Sequence, residues 1–91
     1  MNKLSLVIWE GRRMAERPLD VIHKSLEKDV LVLLKRGLEV RGKLKGYDIH
    51  LNIVLADAQL VENGEIVKSY GRIVIRGDNV LAISPVDYET E

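Results

Sequence analysis

The chain has 91 residues and a 46% hydrophobic content, enough for one domain with one modest core. Its 14 Lys and Arg balance 14 Asp and Glu, so no global positive field draws a polyanion, and a nucleic-acid partner would have to be met by a local cluster. Cysteine is absent, which excludes disulfides and thiolate metal sites, and the longest apolar runs fall far short of the roughly 20 residues that span a bilayer, so a soluble, cytoplasmic chain with no membrane association is expected.

Residues 1–13 place one lysine before a short apolar segment without a small-residue cleavage site, so a signal peptide is not expected. Met14 offers a second start, and residues 1–15 are read as an N-terminal extension. The alternative is an ordinary arm that packs Leu6, Ile8 and Trp9. Pro18 suits a first helical position, and Leu19, Ile22 and Leu26 follow at helical spacing, which predicts one amphipathic helix over about residues 18–27. His23 lies beside its apolar stripe and reads as a partly exposed helix histidine.

Asp29 then precedes an unbroken run from Val30 to Leu34, the pattern of a strand covered on both faces. Residues 38–46 alternate instead. Leu38, Val40, Gly42, Leu44 and Gly46 share one face, and Glu39, Arg41, Lys43 and Lys45 the other, as in a half-buried strand. Two glycines on the apolar face predict a sharp bend. Residues 53–61 form the next apolar run, and Asn63-Gly64 supplies a hairpin turn. A strand is expected over residues 68–75, a tight turn at Arg76, Gly77, Asp78 and Asn79, and a last strand from Val80 to Ser84, stopped by Pro85. Residues 86–91 form an acidic tail.

One helix followed by five short antiparallel strands predicts a mainly β fold, a small, partly open barrel. Its last two strands leave edges rich in Ile and Val, defended only by Lys68, Arg72 and Arg76, so edge pairing between subunits, head to tail, is expected, and a contact of that kind closes into a ring when its rotation allows.

Two turns are unusually polar. Asp48, His50 and Asn52 alternate between two strands, and Arg76, Gly77, Asp78 and Asn79 follow another. The first reads either as a loop capped by Asp48 on nearby backbone N–H groups or as a binding site, the second either as a plain turn or as part of that site. A catalytic or metal-binding set of Asp48, His50, Asp57 and Asp78 is disfavoured, because His50 and Asp57 fall on opposite sides of a strand-like run and no HExxH, GxSxG or P-loop is present. Neither an enzyme nor a cofactor is expected. Only four aromatics occur, Trp9, Tyr47, Tyr70 and Tyr88, so an aromatic platform is not the main route to binding bases.

Residues 37–59, with Gly42, Tyr47, Asp48, His50, Asn52 and Leu55, resemble the first Sm motif, and residues 73–80, Ile-Val-Ile-Arg-Gly-Asp-Asn-Val, resemble the second. Arg17-Pro18-Leu19 opens a helix as in archaeal Sm-like proteins. The bacterial host-factor branch fits less well, since Arg-Gly-Asp-Asn replaces its Tyr-Lys-His type of second motif. The resemblance covers residues 16–85 and implies an Sm domain: a helix on a strongly bent five-stranded antiparallel SH3-like barrel, a ring usually of seven identical subunits, and uridine-rich single-stranded RNA bound round the pore. It implies a base held between His50 and Arg76, its edge read by Asn52, with Asp48, Gly77 and Asp78 supporting the pocket. A second RNA site on the helix face would take Arg17, His23 and Tyr47. An Asn52 amide pinned by Asp48 or Asp78 would accept uracil and refuse cytosine, whose donor and acceptor are reversed. The rival expectation is a protein-interaction barrel that scaffolds other proteins without touching RNA.

Overall fold

The computed structural model describes residues 16–86; the expectations for residues 1–15 and 87–91 lie outside them. Helix α1 spans Pro18–Lys24, with Pro18 in its first turn, Asp20 near its positive end and His23 and Lys24 near its negative end. It stops earlier than the apolar spacing predicts. The N–H groups of Ser25, Leu26 and Lys28 reach back only three residues, to Ile22, His23 and Ser25, and Glu27 enters the left-handed region at φ 66°. The Glu27 N–H then donates to the Leu44 carbonyl and the Leu44 N–H to the Lys28 carbonyl, at 2.8 and 3.0 Å. A last helical turn is thus given up to splice the chain into the sheet.

Strand β1 spans Asp29–Leu34, β2 Glu39–Tyr47, β3 Ile53–Glu62, β4 Glu65–Ser69, β5 Ile73–Ile75 and β6 Val80–Pro85. The antiparallel order is β4-β3-β2-β1-β6, and β5 pairs with β3 on the edge that β4 also uses. The alternation in β2 holds, since Val40, Gly42 and Leu44 are buried and Arg41 is exposed. In β1, Val30 and Val32 are buried while Leu31, Leu33 and Leu34 are half-buried, so only the inner face is closed off and the outer one is partly covered.

The strand expected over residues 68–75 is two strands. Opposite Gly42 the pairing slips, from Arg41 with Gln59 to Lys43 with Ala56, which leaves one extra residue in β3. Asp57 takes up the bulge at φ 53°. The partner strand bends with it: Tyr70 donates to the Ala58 carbonyl at 2.7 Å and Ala58 to the Gly71 carbonyl at 3.2 Å, so contact with β3 continues where the ladder of β4 ends and that of β5 begins. Gly42 is where the layers meet, because a β-carbon there would lie 3.0 Å from the Ala56 carbonyl oxygen and 3.2 Å from the Ala58 Cα. Gly46 has open space at the same position and adjoins a second slip, between Leu44 and Gly46.

The bent sheet wraps a core of Val30, Val32, Val40, Leu44, Ile53, Leu55, Ala58 and Ile75, with Ile22 from α1. Leu44, Ile53, Leu55, Val30, Val32 and Val61 are fully buried, and each such side chain stabilises the fold by about 1.5–3 kcal/mol relative to exposure. Every one of them is aliphatic. The free borders are β4 on one side and β6 on the other, and they carry exposed Ile66, Val67 and Leu81. No helix among the described residues is long and apolar enough to cross a membrane.

Candidate functional site

The loop between β2 and β3 is built around one carboxylate. Asp48 Oδ1 accepts the backbone N–H groups of His50 and Asn52 at 2.9 and 3.0 Å, and Oδ2 accepts from Asn52 Nδ2 at 3.0 Å. The Asp48 N–H donates to the Asn52 carbonyl at 3.1 Å and closes the loop across its base. Such a carboxylate is stabilised in its charged form. The Asn52 side-chain hydrogen bond, followed by the two backbone N–H groups and the nearby His50, holds the Asp48 carboxyl below its ordinary range against a small opposing effect of desolvation.

Leu51 is the apolar residue of this loop and sits at φ 62°. It is half-buried and packs against the core, so the loop is nailed down from within while Asp48, Ile49 and His50 face solvent. The sequence reading passed over Leu51. Its signal was available, as an apolar side chain amid three polar ones.

The second turn meets the first. Ile75 pairs with Ile53, which brings Arg76 beside the end of the loop, and residues Gly77–Asn79 form a 3-10 turn. The Gly77 N–H donates to Asn52 Oδ1 at 2.8 Å. A β-carbon on Gly77 would overlap the His50 carbonyl oxygen and lie 2.9 Å from the carbonyl carbons of His50 and Leu51, so only glycine fits. Asp78 does not reach Asn52. Its Oδ1 lies 3.9 Å from Arg76 Nε, in a solvent-exposed pair that orients the guanidinium loosely.

Asn52 therefore has both ends of its amide assigned. Oδ1 must face the Gly77 donor and Nδ2 the Asp48 acceptor, and rotation by 180° would set donor against donor and oxygen against carboxylate. One N–H and one lone pair remain free on a half-buried group, with exposed His50 and Arg76 from the two turns beside it. Six of the residues singled out in the sequence, Asp48, His50, Asn52, Arg76, Gly77 and Asp78, thus come together. Among the described residues no group of three or more His, Cys, Asp or Glu is placed to hold a metal ion.

The helix-face residues are only partly united. His23 Nδ1 and the Tyr47 hydroxyl share a hydrogen bond of 2.9 Å, with their rings edge to face at 6.1 Å, whereas Arg17 Nε is turned to Asp20 Oδ2 at 3.1 Å.

Comparison with known proteins gives one answer at every level. The model of the LSM domain matches residues 20–85. An snRNP Sm-like protein of Thermococcus sibiricus is 83% identical over 76 residues, which are 84% of this chain and 100% of that one. Among solved structures, the Pyrococcus abyssi Sm protein in complex with a uridine heptamer is 75% identical with a TM-score of 0.77, covering 78% of this chain and 100% of that one. The P. aerophilum SmAP1 heptamer is 38% identical with a TM-score of 0.74, covering 80% and 97%.

Proposed function

The chain belongs to the LSM domain family, and on that premise we propose that it forms a closed ring of seven identical subunits that binds uridine-rich single-stranded RNA around its central pore. In this reading residues 16–85 are the ring-forming domain, residues 1–15 an extension and residues 86–91 an acidic tail. The ring is a scaffold or chaperone in RNA processing, not an enzyme, and it works in the cytoplasm. The likeness to a uridine-bound protein and to a heptamer supports the partner and the assembly.

The single observation that carries the specificity is the fixed Asn52 amide. Its free N–H donates to uracil O4 and its free lone pair accepts from uracil N3–H. Cytosine offers N4–H and N3 in the opposite order, so binding it requires the amide to rotate and lose two internal hydrogen bonds, each costing about 1–3 kcal/mol when left unmade. The base is stacked between the His50 imidazole and the Arg76 guanidinium, two flat groups that stand in for the scarce aromatic rings. Asp48 holds the amide, Gly77 brings the second turn close enough to help, and Asp78 steadies Arg76. On the helix face, His23 and Tyr47 form a pair that would receive a second nucleotide, with Arg17 turning from Asp20 to its phosphate.

Symmetry answers the missing net charge. Repeating one Arg76 per subunit around a pore makes a cationic collar from a neutral chain, and successive nucleotides of one strand reach neighbouring pockets at high effective concentration. Fluorescence anisotropy with seven-nucleotide oligo-U, oligo-C and oligo-A tests the reading: oligo-U binds at least about tenfold more tightly than the others. Equal weak binding of all three would leave a protein scaffold as the better description.

A further inference from the structure

Two hairpin turns of this chain share a backbone and differ in the residue that must adopt it. Asn63 and Gly64 have φ of 52° and 81°; Arg36 and Gly37, between β1 and β2, have 71° and 76°. Asparagine enters the left-handed region readily, whereas a long side chain does so against steric resistance. Arg36 is exposed, and among the described residues neither it nor Lys35 makes an ion pair or side-chain hydrogen bond that would compensate. A strained arginine without a use inside its own subunit points to a use outside it.

The register says where. The last rung between β1 and β6 joins Leu34 to Val80, and Val80 directly follows the turn that holds Gly77 against Asn52. Lys35 is the next residue after that rung. Counting the short turn and one rung, the backbone path from Arg76 to Lys35 is on the order of 15 Å. The acidic groups nearby are Glu39, half-buried in β2, and Asp78, which faces Arg76.

We propose that Lys35 and Arg36 form a phosphate track for the single-stranded RNA that continues beyond the uridine pocket, a site that rests on the pocket reading above. The ammonium and the guanidinium fork engage phosphate oxygens. Neither reads a base, so the track is indifferent to sequence. It lengthens the footprint of the ring from the pockets to the flanking strand.

The test compares U7 with U7 extended by eight cytidines, on the intact ring, at several salt concentrations. With the doubly substituted Lys35→Ala, Arg36→Ala ring, U7 affinity stays within about twofold, the extended RNA loses about tenfold, and its salt slope becomes shallower by about 0.7–1.4. Arg36→Gly relieves the strain, so it raises the melting temperature while lowering affinity for the extended RNA; Arg36→Lys retains most of that affinity. The track is overturned if the extended RNA binds the double variant as tightly as wild type, or if U7 suffers as much as the extended RNA. Should wild type fail to bind U7 at all, the pocket reading falls first and the track with it.

Discussion

Asn52 and Gly77 are 25 positions apart in the chain and meet through one hydrogen bond, from the Gly77 N–H to Asn52 Oδ1 at 2.8 Å. That bond joins the two polar turns and, with Asp48 on the other end of the amide, decides which way Asn52 faces. Selectivity for a base is therefore set by groups that touch each other in the free protein. Little has to be ordered when RNA arrives.

Replacing Asn52 with Asp removes the donor and sets a second carboxylate against Asp48. Oligo-U affinity per ring should fall at least about tenfold to a hundredfold, in keeping with the loss of 1–3 kcal/mol per pocket. The preference for oligo-U over oligo-C should vanish as well. Anisotropy titrations with both oligomers measure the two effects together; unchanged oligo-U affinity would remove Asn52 from the site.

Asp48→Asn separates holding the loop from pinning the amide. The new carbonyl oxygen still accepts the N–H groups of His50 and Asn52, but the new NH2 faces Asn52 Nδ2 and favours the rotated amide. Oligo-C should gain on oligo-U, narrowing their ratio about tenfold. A ratio equal to wild type would mean that Gly77 alone orients Asn52.

Acid should act in the same direction. The Asp48 pKa is depressed in the folded protein, so its contribution to stability is fully present above the ordinary aspartate pKa of about 4 and is lost as pH falls through the lower folded value. Discrimination between oligo-U and oligo-C should consequently be flat from about pH 8 to about pH 5 and decline only in stronger acid. A decline centred near pH 6 would point to His50 as the titrating group instead.

Gly77→Ala should cost stability and binding at once. A methyl group at this position overlaps the His50 carbonyl oxygen, and the two turns must separate. Thermal unfolding should report a loss of about 1–3 kcal/mol per subunit. Oligo-U affinity should drop with the stranded Asn52, while Gly46→Ala, where open space waits, should leave the pocket intact.

Much of this arrangement was legible in the chain, and the exceptions have physical causes. The alternation of Val40, Gly42 and Leu44 fixed the inner face of β2, and the polar residues of both turns were visible as a site. The end of α1 was not, because Leu26 keeps helical spacing while the backbone of Glu27 is captured by Leu44, a long-range bond with no local signal. Asp57 gives no warning of a bulge, since aspartate tolerates both extended and left-handed backbone. The division of the strand after Ser69 follows from that bulge and was invisible for the same reason. Asp48 and Asp78 looked equally able to hold Asn52; only the fold shows one carboxylate reaching the amide and the other turned to Arg76.

Assembly through the sheet borders predicts a clean failure. Val67 and Leu81 are 51% and 61% exposed on β4 and β6, and a charge at either should be poorly accommodated in an apolar contact. Val67→Asp or Leu81→Asp should yield species near the 10.3 kDa subunit in native mass spectrometry. Loss of avidity should weaken oligo-U binding about a hundredfold or more even though the pocket residues are untouched.

The surplus residue at Asp57 has one more implication. Because β3 kinks there, the kink governs the angle between the two outer borders of the sheet, and copies joined border to border turn by that angle at each step. A circle closes only when the step is a whole fraction of a full revolution. The protractor that fixes how many subunits meet is thus a single misfitted position in the middle of a strand, remote from the borders it orients.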